Sequence, residues 1–182
     1  MKILKRTQFG NPILRQEATR LSNGDIMSDK IQSLIRDMYY TLEKKRYGVG
    51  LAAPQVGESV ALAVVGIKPT PTRPDAQEEC LTVINPRIIK TYGNRTGMRE
   101  ACISGGDLYA KAMRYKKVRL HWLDETAAVH EQDFEGLMAH VLQHEIDHLN
   151  GILFVDKVKD TKTYMTFSEY NKIRKRRLKQ KS

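Results

Sequence analysis

His144-Glu145-Ile146-Asp147-His148 constrains what this chain can fold into more than any other run in it. The pattern, HExxH, has a chemical logic only on a helix. Four residues make slightly more than one turn, so the two imidazoles stack on one face about 6 Å apart along the axis. Both can then converge on one metal ion. Glu145, next to His144, can lean over that ion without ligating it and handle the protons of a bound water. In the surrounding run 135–151, Leu137, Val141, His144 and His148 recur at i, i+4, i+7 and i+11, a single inward-facing stripe. Asp133 is the expected N-cap, and Gly151 sits where a left-handed C-terminal residue belongs. HExxH does arise by chance in charged helices. Here it continues an apolar stripe, and a buried His-Glu-His trio without an ion would leave costly polar groups. A metal is therefore the expectation.

The chain has 182 residues, 41% hydrophobic and 29% charged, which predicts one soluble globular domain over 1–182. No apolar run approaches the roughly 20 residues of a membrane span. The opening MKILKRTQFG has no signal-peptide core, so a cytoplasmic location is expected. Two cysteines, Cys80 and Cys102, are too few for a disulfide framework. The net charge of +10 is concentrated at one end. Lys172, Arg174, Lys175, Arg176, Arg177, Lys179 and Lys181 crowd residues 172–182, which hold no acid. The remainder is close to balance, which argues against a DNA-binding domain and leaves the tail as the one segment suited to RNA.

Read in order, residues 2–8 suggest a short edge strand, Gly10-Asn11-Pro12 a turn, and Ser22-Asn23-Gly24-Asp25 a loop. Ile31, Leu34, Ile35, Met38 and Leu42 predict a helix from Ser28 or Asp29 to Arg46 or Tyr47. Gly48-Val49-Gly50-Leu51-Ala52-Ala53-Pro54-Gln55 is small and apolar, so another chain can approach its backbone closely. Gln55 is its single polar side chain. Val60–Ile67 reads as a buried strand and residues 68–80 as an exposed loop. Strand signals follow at Leu81–Tyr92, broken at Asn85-Pro86, then at Gly97–Ser104, Lys116–Leu123 and Val129–Phe134, with a turn at Asp124-Glu125. Thr166-Phe167-Ser168-Glu169 is a capping box that should open a C-terminal helix running into the basic tail.

Two imidazoles leave the ion short of protein ligands. His140 is eight residues from His148, about 12 Å along a helix, so all three cannot share one ion. It is read as a wall residue or as partly solvated. The extended zinc-peptidase pattern needs a histidine at 154, where this chain has Phe154. Glu169 is the downstream glutamate that a second peptidase type would use. His121 and His130 have no distinctive spacing. A strand cysteine is usually a small buried hydrophobe, yet Cys102 as a thiolate would complete a Cys-His-His set with one position open for water.

Three stretches now fall together. Residues 48–55, Glu100-Ala101-Cys102-Ile103-Ser104 and residues 143–151 resemble, in order and separation, the three signature motifs of peptide deformylases. The resemblance implies an α+β fold, with mainly antiparallel sheets around a central metal-binding helix and a helix towards each end. It implies removal of the formyl group from the N-terminal formyl-methionine of nascent chains, releasing formate. Cys102, His144 and His148 would bind one divalent ion, Fe2+ by family habit, with Zn2+, Ni2+ or Co2+ also accommodated. Glu145 would be the acid/base, and the Gln55 side chain and Ile103 N–H would stabilise the oxyanion. The substrate set it implies is Val49, Gly50, Met98, Glu100, Ala101, Arg114, Leu137, His140 and Val141. Arg114 would contact substrate backbone, and an extended peptide would lie along 48–50 and 101–103. The middle motif departs from the family's Glu-Gly-Cys-Leu-Ser at Ala101 and Ile103, and residues 105–109 lack its usual proline. Ala101 would be strained if its φ were positive. Two other readings set against this one are a zinc endopeptidase using Glu169 and a weakly catalytic ribosome- or RNA-binding relative using tail 172–182.

Overall fold

The computed structural model describes residues 1–44, 48–70 and 76–179. Its elements are helices α1 (Asn23–Ile26), α2 (Asp29–Lys44), α3 (Gly136–Leu149) and α4 (Phe167–Lys179), and strands β1 (Gly50–Ala52), β2 (Leu62–Ile67), β3 (Glu79–Ala101), β4 (Leu108–Leu123), β5 (Val129–Glu135) and β6 (Met165–Thr166). Every strand pairing is antiparallel, in the order β1-β2-β3-β4-β5, with β6 on the far end of β4. The α+β architecture expected from the resemblance is the one observed.

Strand β2 shows why its sequence is apolar throughout. Leu62 and Val64 pack with Ile31, Ile35, Met38 and Leu42 of α2. Ala63, Val65 and Ile67 point the other way, into a cluster with Val141, Leu142 and Ile146 of α3. Alternate side chains point to opposite faces of a strand. With a helix covering each face, all of them are apolar. The second of these clusters fixes α3 against the sheet, with Leu120 and Trp122 of β4 in contact with it.

Several boundaries differ from expectation. Residues 2–8 form no strand; they cross the molecule as an extended strap, held by side chains and by scattered backbone bonds. Ser22-Asp25 is a capping box rather than a loop: Ser22 Oγ accepts from Asp25 N, and Ser22 N donates to Asp25 Oδ2, which closes the short α1. Asp133 lies within β5, where it accepts from Tyr92 Oη, and the residue preceding α3 is Glu135. The break at Asn85-Pro86 and the first part of the strand expected at 97–104 belong to one long bulged strand, β3, which ends at Ala101 and gives way to a 3-10 turn at Ile103–Gly105. Asn85 turns through φ 51 and its amide exchanges two hydrogen bonds with the Leu21 backbone. Gly151 has φ 68, and a Cβ there would meet the Arg15 carbonyl carbon at 2.7 Å. The expected end of α2 at 46–47 and part of the 68–80 loop lie outside the described residues.

Candidate metal centre

Three elements converge on the site. Strand β3 ends at Ala101 and delivers Cys102 at the turn into β4. Helix α3 delivers His144, Glu145 and His148. The turn after β1 delivers Gln55. One nitrogen of each histidine and the Cys102 sulfur lie within 4.8 Å of one another. The Cys102 Sγ is 3.2 Å from His148 Nε2, and the two imidazole rings stand edge to face with centroids 4.9 Å apart. Cys102 is 4% exposed and His148 1%, whereas the His144 side chain keeps 11%. The site therefore opens to solvent on the His144 side.

The side chains around the donors hold them in place. His144 Nδ1 lies 2.8 Å from Glu100 Oε2, which leaves Nε2 free to face the sulfur. Gln55 Oε1 accepts from Ala52 N at 2.8 Å, and this aims Nε2 at Cys102 Sγ, to which it donates at 3.2 Å. Gln143, in the motif's first position, accepts from Tyr115 N and donates to Tyr115 O, so one side chain ties α3 to β4 as a paired strand would. Gly50 is needed for close approach. A Cβ there would overlap Glu145 Oε1 and lie 2.8 Å from Val141 Cγ1.

The electrostatics follow from burial and charge. Burial pushes the Cys102 thiol up, but the charge of His148 and the hydrogen bond with His144 outweigh it and hold the thiol well below its usual range. That is the thiolate character a metal ligand needs. Burial pushes Glu145 up to about 7, only partly opposed by His144 and His148. Its Oε2 and His148 Nδ1 are buried with no partner among the described residues. A proton-handling carboxyl is best poised near operating pH.

The donor chemistry fits a divalent ion. A thiolate and two imidazoles are the open three-ligand set of several catalytic metal sites, with metal–ligand bonds of about 2.0–2.3 Å. The Glu169 alternative is not supported by its position: Glu169 is exposed, ion-paired with Lys172 at 2.6 Å, and outside the donor cluster.

The other expected site residues divide. Val141 and Gly50 face Glu145, and Val49 and Leu137 pack on the same core cluster as α3. Met98 lies on β3 opposite Ala112. Ala101 is extended, paired with Tyr109 and free of a positive φ, so the substitution for glycine brings no backbone strain. Glu100 and Arg114 lie side by side in the interior. Their side chains are 2% and 3% exposed and joined by two hydrogen bonds, with Arg114 also bonded to Asp147. Both point into this ion cluster. His140 joins the same cluster through Glu100 at 2.7 Å. Sequence reasoning missed Asp147 and Gln143. Both stand inside the helix motif, where Gln143 bonds the Tyr115 backbone and Asp147 bonds Arg114.

A buried carboxylate beside a thiolate and two imidazoles, on a helix cradled by an antiparallel sheet, defines a metallohydrolase centre. The polypeptide deformylase family model matches residues 3–164. The chain belongs to the peptide deformylase family, hydrolases that remove the N-formyl group from nascent polypeptides. It is 39% identical over 168 residues to the peptide deformylase of Leptospira biflexa serovar Patoc, covering 90% of this chain and 92% of that one. It is 41% identical over 156 residues to that of Chlorobaculum parvum, covering 86% and 80%. Among solved structures it resembles the Met-Ala-Ser-bound class I type b peptide deformylase of Acinetobacter baumannii, with TM-score 0.81, 34% identity, and coverage of 86% and 98%.

Proposed function

We propose that this chain deformylates N-terminal formyl-methionine of nascent chains at an ion held by Cys102, His144 and His148. The observation that carries this reading is the convergence of those three donors within 4.8 Å, beside Glu145, whose Oε2 is buried without a partner among the described residues. When bound, a divalent ion supplies Lewis acidity and lowers the pKa of water it carries. Glu145 takes a proton at its carboxylate and returns it to the departing amine. Gln55 Nε2 and the Ile103 N–H donate to the oxygen that gains negative charge at the formyl carbon. The extended substrate adds as a strand along the outer edge of β1, with residues 101–103 on its other side. Val49, Met98, Leu137, His140 and Val141 wall the methionine pocket. Ferrous iron is the proposed native ion, with zinc, nickel or cobalt as substitutes.

The basic segment 172–182 is proposed to hold the enzyme near ribosomal RNA in the cytoplasm. Helix α4 docks through Phe167 and Tyr170 on Tyr109, with ring centroids 5.8 and 4.6 Å away. Lys172, Lys175 and Arg176 remain exposed; residues 180–182 lie outside the described residues. No helix among the described residues is long and apolar enough to cross a membrane. The test is formate release from a formyl-Met peptide by anaerobically iron-loaded protein. Turnover abolished by Glu145→Ala is the expected result, and no turnover by the unaltered protein would refute the assignment.

A further inference from the structure

Glu100 sits at the centre of a buried ion cluster that reaches beyond the three metal donors. Its Oε1 meets Arg114 Nε at 2.6 Å and His140 Nε2 at 2.7 Å. Its Oε2 meets Arg114 Nη2 at 3.0 Å and His144 Nδ1 at 2.8 Å. A carboxylate offers about four acceptor sites, and these four partners fill them. Arg114 is in turn bonded to Asp147, which Lys157 Nζ approaches at 3.7 Å. The guanidinium grips one edge of the carboxylate. Two imidazoles, one helical turn apart on α3, approach its two oxygens separately.

That division gives the two histidines different tasks. His144 uses Nδ1 on Glu100 and keeps Nε2 for the ion. His140 uses Nε2 on Glu100, so this nitrogen is unavailable for an ion. We infer that His140 is a positioning residue of the metal centre: by holding Oε1 it fixes the plane of the carboxylate whose Oε2 aims the His144 ring. This inference rests on the metal reading proposed above. Without a donor at position 140, the carboxylate is held by Arg114 alone on that side, and it can rock and carry the His144 ring with it. A residue serving only as an apolar wall would be replaced by leucine without loss. A residue holding Oε1 would be replaced only by another donor of the same reach, which glutamine supplies through Nε2.

The test uses the full chain as wild type, His140→Leu and His140→Gln. Cobalt and zinc affinities are measured by competition with a chelator, and the cobalt-loaded proteins are compared by visible absorption. Outer partners of metal ligands are typically worth about 10- to 100-fold in affinity. Position 140 acts one bond further out, so about a 10-fold loss is expected for His140→Leu, with a shifted cobalt spectrum. His140→Gln should stay within about 3-fold of wild type and keep its spectrum. A leucine variant with wild-type affinity and spectrum, or equal losses in both variants, would overturn the inference. A wild-type protein that takes up no ion would instead remove the metal reading on which it stands. Nitrogen-15 spectra of zinc-loaded wild type give a check independent of any variant's folding. His140 should carry its proton on Nε2 and His144 on Nδ1; a bare His140 Nε2 would refute the assignment.

Discussion

Gly50→Ala isolates the contact that places the Glu145 carboxyl. Gly50 lies in β1 without a positive φ. Alanine is therefore allowed by the backbone, and taken alone the change should gain about 0.5–1 kcal/mol by restricting the unfolded chain. The new methyl, however, overlaps Glu145 Oε1 and comes within 2.8 Å of both Glu145 Cδ and Val141 Cγ1. Overpacking of this kind costs about 1–3 kcal/mol. The overlap outweighs the entropic gain, so a net loss of about 1–2 kcal/mol is expected. The loss should shrink sharply in a Glu145→Ala background, where two of the three close contacts are gone. The coupling between the two substitutions should be at least about 1 kcal/mol. Urea denaturation of the four proteins of the cycle measures it. Activity should suffer more than stability, because a base displaced by about 1 Å can cost on the order of 100-fold in rate. If Gly50→Ala costs the same in both backgrounds, the close approach to Glu145 is not why glycine stands there.

Three further outcomes follow from the site and the tail. In the metal-free protein Glu145 titrates at about 7 instead of 4.5. The folded state therefore holds a proton the unfolded chain has released, and stability falls as pH rises through that window. At about 1.36 kcal/mol per pH unit, the stability advantage of Glu145→Gln over wild type should widen by about 2 kcal/mol between pH 5 and pH 8.5; a gap independent of pH would count against the burial argument. Cys102→Ala should lose the ion on dialysis while Glu169→Ala keeps it, as read by elemental analysis, and the reverse pattern would favour the endopeptidase alternative. Deleting 172–182 should weaken ribosome binding and flatten its dependence on salt while sparing turnover of free formyl-peptide; unchanged binding would dismiss the tail proposal.

The helix motif was legible because its spacing has only one geometric solution. Cys102 was legible as a candidate ligand from what the two imidazoles still needed and from the motif at 100–104, since a strand cysteine carries no signal of its own. The apolar run in β2 identified a strand but not which helices cover its faces; that depends on residues far along the chain. Asp133 failed as a cap because its local pattern is overruled by β5, whose pairing with β4 carries it up to Glu135. Residues 2–8 failed as a strand for a related reason: what holds them is a set of scattered partners that no periodicity encodes. Glu100 and Arg114 were visible as charges near the motifs. That they neutralise one another in the interior emerges only when β3 and β4 pair, in a register that puts Glu100 opposite Ala110.

The N-terminal strap has a consequence for how the centre comes apart. Thr7 N donates to Gln55 O and Thr7 Oγ1 to Pro54 O, at 2.8 and 2.6 Å. Arg6 Nη1 donates to Ile103 O, and Phe9 N to Ser104 O. One short length of chain thus latches together the two loops that supply Gln55 and Ile103, alongside the direct hydrogen bond from Gln55 to Cys102. A single cleavage near Gly10 would free the latch without severing any metal donor from its backbone. Cys102, His144 and His148 would keep their places, while Gln55 and Ile103 would lose one of the ties that space them.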